Sequence, residues 1–136
     1  MKQYLIITTI LLCAISVFSQ APKTSWASQS TGGNNNVSTG LVVDKDGNTY
    51  ITGYFSDTVH FGSYELVCKG MSDVFVAKVD KDGNYLWAIS AGGSRQDIPN
   101  DIAVDDTGNL YIIGSYALIA NFGTESLISS NFSNIF

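Results

Sequence analysis

One fixed offset organises this chain: residues recur 61 positions apart over most of its length. Trp26-Ala27 returns as Trp87-Ala88, Val43-Asp44 as Val104-Asp105, Gly47-Asn48 as Gly108-Asn109 and Tyr50-Ile51 as Tyr111-Ile112. Gly53 returns as Gly114, Phe61-Gly62 as Phe122-Gly123, Leu66 as Leu127, Ser72 as Ser133 and Phe75 as Phe136. From Gly40 onward the copies align without a gap, and only Gly32-Gly33 and Gly92-Gly93 slip by one residue. A tandem repeat of this kind restricts the fold to architectures in which each copy is one supersecondary unit packed against the next.

Within the unit the local signals are strands. Leu41-Val42-Val43, Thr49 to Phe55, Val74 to Val79 and Tyr85 to Ser90 are rich in β-branched and aromatic residues, which suit a pleated surface. Several are nearly continuous apolar runs, which implies sheets covered on both faces. Between them stand Asp44-Lys45-Asp46-Gly47-Asn48, Asp80-Lys81-Asp82-Gly83-Asn84 and Asp105-Asp106-Thr107-Gly108-Asn109. Asp bonds its own backbone two residues on and Gly takes positive φ, so each reads as a hairpin loop built on a type I turn with a glycine bulge. Ser56 to Ser72 reads as a longer loop anchored by Phe61 and Leu66. Four antiparallel strands per repeat, buried on both faces, describe a propeller blade. A duplicated β-sandwich is the competing architecture, and it would show cleaner alternation than these strands do.

The first 19 residues stand outside the repeat. Met1-Lys2-Gln3 is a short basic start, Tyr4 to Phe18 is almost wholly apolar, and Val17-Phe18-Ser19 follows. That layout predicts a secretory signal peptide over 1–19, with cleavage before Gln20 and an exported chain at the cell surface or outside the cell. The apolar run is shorter than the ~20 residues a spanning helix needs, so no membrane insertion is expected after cleavage. Leu11 and Leu12 before Cys13 do not fit a lipoprotein signal. Cleavage leaves Cys68 as the one cysteine, which excludes a disulfide within the chain and predicts a half-buried small residue there. A net charge of −5 argues against nucleic acid and against anionic membrane surfaces as partners.

The order Trp-Ala, Gly-Gly, Asp-x-x-Gly-Asn, Tyr-Ile-Thr-Gly, Phe-Gly and Asp-Val-Phe-Val-Ala-Lys-Val-Asp (Asp73 to Asp80) resembles the bacterial β-propeller repeat family, abbreviated SBBP. The resemblance runs from about Trp26 to Phe136. It implies an all-β chain of four-stranded blades in a secreted or cell-surface protein, and no common reaction. A full first blade is expected over about 40–90 and a truncated second over about 101–136. Trp26 to Gln29 matches a blade's fourth strand and is expected as a lone closing-type strand over 26–29. Propellers take ~4–8 blades, so further units are expected in the natural gene. Tyr50, Ile51, Val74, Phe75, Val76 and Trp87 are the expected core. Lys45, Asp46, Lys81 and Asp82 are expected at exposed turn tips.

Residues with catalytic chemistry are scarce. The one histidine, His60, falls in the longer loop with Asn121 as its counterpart, and no Gly-x-Ser-x-Gly elbow accompanies it. The Gly-Gly pairs precede no helix and do not read as phosphate cradles. Asp44, Asp46 and Asn48 place oxygens at alternating positions, as a calcium loop begins, and are the candidate metal ligands. Against them, position twelve from Asp44 is Phe55 and supplies no bidentate carboxylate. Asn36-Val37-Ser38 and Asn131-Phe132-Ser133 match a glycosylation sequon. Asp57-Thr58-Val59 makes Thr58 a candidate for O-glycosylation. No catalytic residue and no cofactor is expected. The function that follows is a non-enzymatic binding, adhesion or display scaffold for a protein or glycan ligand. The alternatives are the propeller portion of a larger extracellular hydrolase or lyase, or a purely structural repeat.

Overall fold

The computed structural model describes residues 25–130 and 133–136, which hold twelve strands and no helix. The signal-peptide segment 1–19, Cys13 and Asn131 lie outside the described residues.

The first blade is a four-stranded antiparallel sheet of β2 (Val37–Val43), β3 (Thr49–Phe55), β6 (Asp73–Val79) and β7 (Tyr85–Ala91), in that spatial order. β6 is buried along nearly its whole length, as its unbroken Val-Phe-Val-Ala run requires. The second sheet holds β8 (Ile98–Val104), β9 (Leu110–Tyr116) and the short β12 (Asn134–Ile135), in the order β12-β9-β8. The described residues therefore form one four-stranded blade and part of another, and the all-β propeller-blade expectation holds. The inner strands repeat even their irregularities. The β2–β3 register shifts between Ser38 and Gly40, and the β8–β9 register shifts between Pro99 and Asp101, at the same place in the repeat.

Two expectations are corrected. Ser56 to Ser72 is not a plain loop. It contains the hairpin β4 (Thr58–Phe61) and β5 (Tyr64–Val67), repeated in the second unit as β10 (Ile119–Phe122) and β11 (Glu125–Ile128). Phe61 and Leu66 are its anchors and are buried, as expected, with Phe55, Val59, Phe75 and Ala77. Residues 26–29 form no strand. Their copy at β7 pairs with β6 of its own blade, and no described residue offers Trp26 to Gln29 such a partner. Trp26 lies instead against Gly83 in the second Asp-rich turn. The segment after it does pair: β1 (Thr31–Gly32) bonds β4, with Thr31 opposite His60. The copy of that pairing is the bridge between Gly92 and Asn121. Each hairpin is thus stitched to the segment that enters its repeat from the N-terminal side.

The two sheets pack face to face. Tyr50, Val76 and Ile102 are buried between them, with Val42, Trp87, Val104, Leu110 and Ile112 around them. Tyr50, Val74, Phe75 and Val76 are buried as expected. Trp87 and Ile51 are only half-buried. Trp87 lies on the outer edge strand, its ring centroid 5.9 Å from that of Tyr50. Ile51 lies on the face turned away from the second blade. Lys45, Asp46, Lys81 and Asp82 are exposed at the turn tips.

Candidate functional site

The three Asp-rich turns share one construction. Asp44 N–H donates to the Asn48 carbonyl at 2.9 Å and Gly47 N–H to the Asp44 carbonyl at 3.1 Å. Gly47, Gly83 and Gly108 have φ of 82°, 90° and 89°, which any side chain would resist. The Asp44 carboxylate then closes the turn. It accepts from Asp46 N–H at 2.9 Å, Asn48 N–H at 2.8 Å, the Asn48 side-chain amide at 2.8 Å and the Tyr50 hydroxyl at 3.2 Å. Asp105 repeats the set with Thr107, Asn109 and Tyr111. Asp80 does so with Asp82 and Asn84. The side-chain amides of Asn48, Asn84 and Asn109 are the main reason these three carboxyls are held below the usual carboxylate range.

Both oxygens of Asp44 are engaged by its own turn, and the amide of Asn48 is turned onto it. The Asp44 carboxylate and the Asn48 amide are in use as a hairpin closure to which Asp46 contributes its N–H, with Lys78 Nζ 3.8 Å from Asp44. Among the described residues, no group of three or more His, Cys, Asp or Glu side chains is arranged to hold a metal ion. A calorimetric titration with calcium is expected to give no micromolar site at these turns. Tight binding that disappears in Asp46→Ala would overturn this reading.

The turns matter because packing brings two of them together. Those of the first and second blades flank a crevice of about 530 Å³ lined by Asp44, Asp46, Tyr50, Lys78, Asp105 and Thr107. Lys78 Nζ stands 4.8 Å from the centroid of the buried Tyr50 ring, and Lys45 also lines the crevice, so two cations lie among the acidic groups. A second crevice, of about 210 Å³, is apolar and lies between the blades, against Val74, Val76, Ile89, Ile112 and Phe136.

Sequence reasoning missed a pair of buried carboxylates at the blade junction. Asp73 opens β6 and Asp97 precedes β8, and both are fully buried. A Cβ on Gly92 would stand 2.6 Å from Asp73 Oδ1 and 2.9 Å from Asp97 Oδ2, so the two groups crowd one glycine edge. Asp97 accepts from Gly93 N–H at 2.8 Å and Ala117 N–H at 3.3 Å. Asp73 accepts from Lys69 N–H at 3.0 Å, but its Oδ1 has no partner. Burial pushes both carboxyls up. A carboxyl raised on folding favours the folded state fully below its ordinary value of 3.8, and that advantage is lost as pH rises through the raised value. Asp73→Asn keeps an oxygen for Lys69 N–H and adds a donor where Oδ1 has none. The second repeat carries Asn134 at this position, where its amide donates to Ser129 Oγ at 2.7 Å. The variant is expected to gain about 1–2 kcal/mol at neutral pH and little in acid, by chemical denaturation at both. An equal change at both would remove the carboxyl's titration as the cause.

The remaining candidates fall in ordinary positions. His60 stands on β4, and its Nε2 is 3.1 Å from Glu65 Oε2 across the hairpin. Thr58 begins β4 and is half-buried, not in an exposed loop. Asn36 donates its side-chain amide to the Gly32 carbonyl at 2.6 Å. Cys68 is a half-buried free thiol pushed up by burial. Among the described residues no helix is long and apolar enough to cross a membrane.

A four-stranded blade, a second sheet packed on it in the same register and an outer hairpin on each define a β-propeller repeat scaffold. The comparisons agree. Residues 88–115 match the family model described as a beta-propeller repeat, SBBP. The chain is also similar to an uncharacterized WD repeat-containing protein of Acanthamoeba polyphaga mimivirus, 29% identical over 119 residues. That alignment covers 82% of this chain and 9% of the viral protein, so the chain spans a small part of that relative's length.

Proposed function

We propose that this protein is a non-enzymatic β-propeller scaffold, of the bacterial repeat type, that is exported and presents the crevice between its Asp-rich turns to a protein or glycan ligand. The observation that carries the reading is the composition of that crevice. Two successive blades contribute to it, and neither blade alone forms it. The turn closures fix Asp44 and Asp105 and hold Tyr50 in place, while the carboxylates of Asp46 and Asp106 take no part in closing the turns. Fixed carboxylates on two turns, with ammonium groups beside them, suit the hydroxyls of a glycan or the polar and basic groups of a peptide. Export rests on the basic, apolar, small-residue layout of residues 1–19.

The test is a glycan and protein array probed with the wild type and with Lys78→Ala and Asp106→Ala. Specific, saturable binding that both substitutions weaken is the expected result. Turnover of a chromogenic substrate panel would replace the scaffold reading with an enzymatic one. Mass spectrometry of the protein from the culture medium is expected to show a chain beginning at or near Gln20. An uncut Met1 terminus confined to the cytoplasm would refute export.

A further inference from the structure

The crossing of Ser72-Asp73 with Gln96-Asp97 at the blade junction holds more buried oxygens than it has donors for. Ser72 bridges Gln96 in parallel, and Asp97 N–H donates to the Ser72 carbonyl at 2.9 Å. Among the described residues, the buried side-chain polar atoms without a hydrogen-bond partner are Ser72 Oγ and Asp73 Oδ1, and both stand at this one crossing. Ser72 is 4% exposed, Asp73 1% and Asp97 0%. Asp73 Oδ1 is 2.6 Å and Asp97 Oδ2 2.9 Å from the point where a Cβ on Gly92 would be, so both oxygens are aimed at one space that glycine leaves open. Neither carboxylate forms an ion pair with a Lys, Arg or His among the described residues.

The repeat shows that the fold does not ask for acid at these positions. Asn134 stands in the second repeat where Asp73 stands in the first, and Asn36 precedes β2 as Asp97 precedes β8. An amide oxygen accepts the same backbone bonds as a carboxylate oxygen, so negative charge is what the two aspartates add. Two carboxylates buried side by side lose hydration and repel each other unless a cation lies between them.

We propose that Asp73 and Asp97 hold a calcium ion between them at the blade junction. The charge of two carboxylates balances one divalent cation, and an all-oxygen site selects a hard one. Calcium accepts irregular oxygen sets and gives up its water, whereas magnesium keeps several waters in a strict octahedron that a fully buried pair does not suit. Both carboxylates are already oriented: Lys69 N–H holds Asp73 at 3.0 Å, and Gly93 and Ala117 N–H hold Asp97 at 2.8 and 3.3 Å. The ion ties the start of β6 in one blade to the entry of β8 in the next. It is distinct from the Asp-rich turns, whose oxygens close their own hairpins.

The test is thermal unfolding of the full chain, stripped with EDTA and then given calcium chloride. Calcium about a hundredfold above its dissociation constant is expected to raise Tm by about 10 °C. Magnesium chloride is expected to do less, and sodium chloride at equal ionic strength nothing. Asp73→Asn and Asp97→Asn are each expected to abolish the rise. In EDTA Asp73→Asn is the more stable chain, which shows that it is folded, and saturating calcium is expected to reverse the order of the two. Asp46→Ala, at the first turn, is expected to keep the rise. A wild type that calcium leaves unchanged, an equal rise with magnesium or sodium, a rise that either Asp→Asn variant keeps, or one that Asp46→Ala loses would each overturn the proposal.

Discussion

Phe75→Ala is expected to lose about 3–5 kcal/mol of stability in urea-induced unfolding, the range for truncating a buried aromatic. Phe75 sits in β6, buried, with its ring centroid 4.8 Å from Phe61 and 6.4 Å from Phe55. Phe61 in turn lies 5.5 Å from Tyr85 in an edge-to-face contact. Removing the Phe75 ring leaves a void that Phe55 and Phe61 cannot close, because both are fixed by the strands that carry them. The loss falls on the attachment of the β4–β5 hairpin to the blade. Hydrogen exchange at Val59 and Leu66 should therefore rise more than at Val76. A cost below about 1 kcal/mol would show that the site collapses around the deletion, against the cavity argument.

Gly53→Ala is the second large effect and acts through the same ring. Gly53 pairs with Phe75 across β3 and β6. A Cβ at Gly53 would stand 2.7 Å from Phe75 Cε1 and would also collide with the Val37 carbonyl oxygen. The ring occupies the space that the missing side chain leaves, so the glycine and the phenylalanine form one packing unit. The second repeat builds it again, with Phe136 Cζ 2.6 Å from the Cβ position of Gly114. Adding one methyl is expected to cost about 3 kcal/mol or more, the upper end for overpacking, because backbone as well as side chain must move. Phe75→Leu in the Gly53→Ala background should recover part of the loss, since it relieves the ring contact and leaves the carbonyl one. Strict additivity of the two substitutions would mean that they do not share a site.

The sequence made the blade legible because its strands and turns carry local signals that packing reinforces. Asp44-Lys45-Asp46-Gly47-Asn48 specifies its own closure through side chain and backbone. The Val74–Val79 run has the apolar continuity of a strand covered on both faces. The β4–β5 hairpin does alternate, in Thr58-Val59-His60-Phe61 and Tyr64-Glu65-Leu66-Val67 about Gly62-Ser63, but strands of four residues carry too little periodicity to stand apart from a loop. Trp26 to Gln29 shows the reverse case. The residues are those of a strand, yet strand formation needs a neighbour to bond, and propensity does not supply one. Asp73 and Asp97 had no local signature. Their burial arises where the entry to one repeat meets the exit of another, a contact set by the arrangement of whole sheets. The 61-residue offset that revealed the repeat could not show which positions packing would desolvate.

The stitch between each hairpin and the segment that precedes it changes what counts as an exchangeable part. A graft cut at the edges of the four-stranded sheet would carry β4 and β5 but leave β1 behind. The recipient would then supply the wrong bonding partner for Thr31 opposite His60, or for Gly92 opposite Asn121. Cutting ahead of Thr31 and again ahead of Gly92 keeps stitch, hairpin and all four strands of the blade in one cassette. The family match over residues 88–115 crosses from β7 into the next sheet in the same way, so the unit of sequence is staggered against the unit of architecture. Gene shuffling or protein engineering that respects the stagger transfers a self-contained module, and each new junction falls in a connection that the fold already uses.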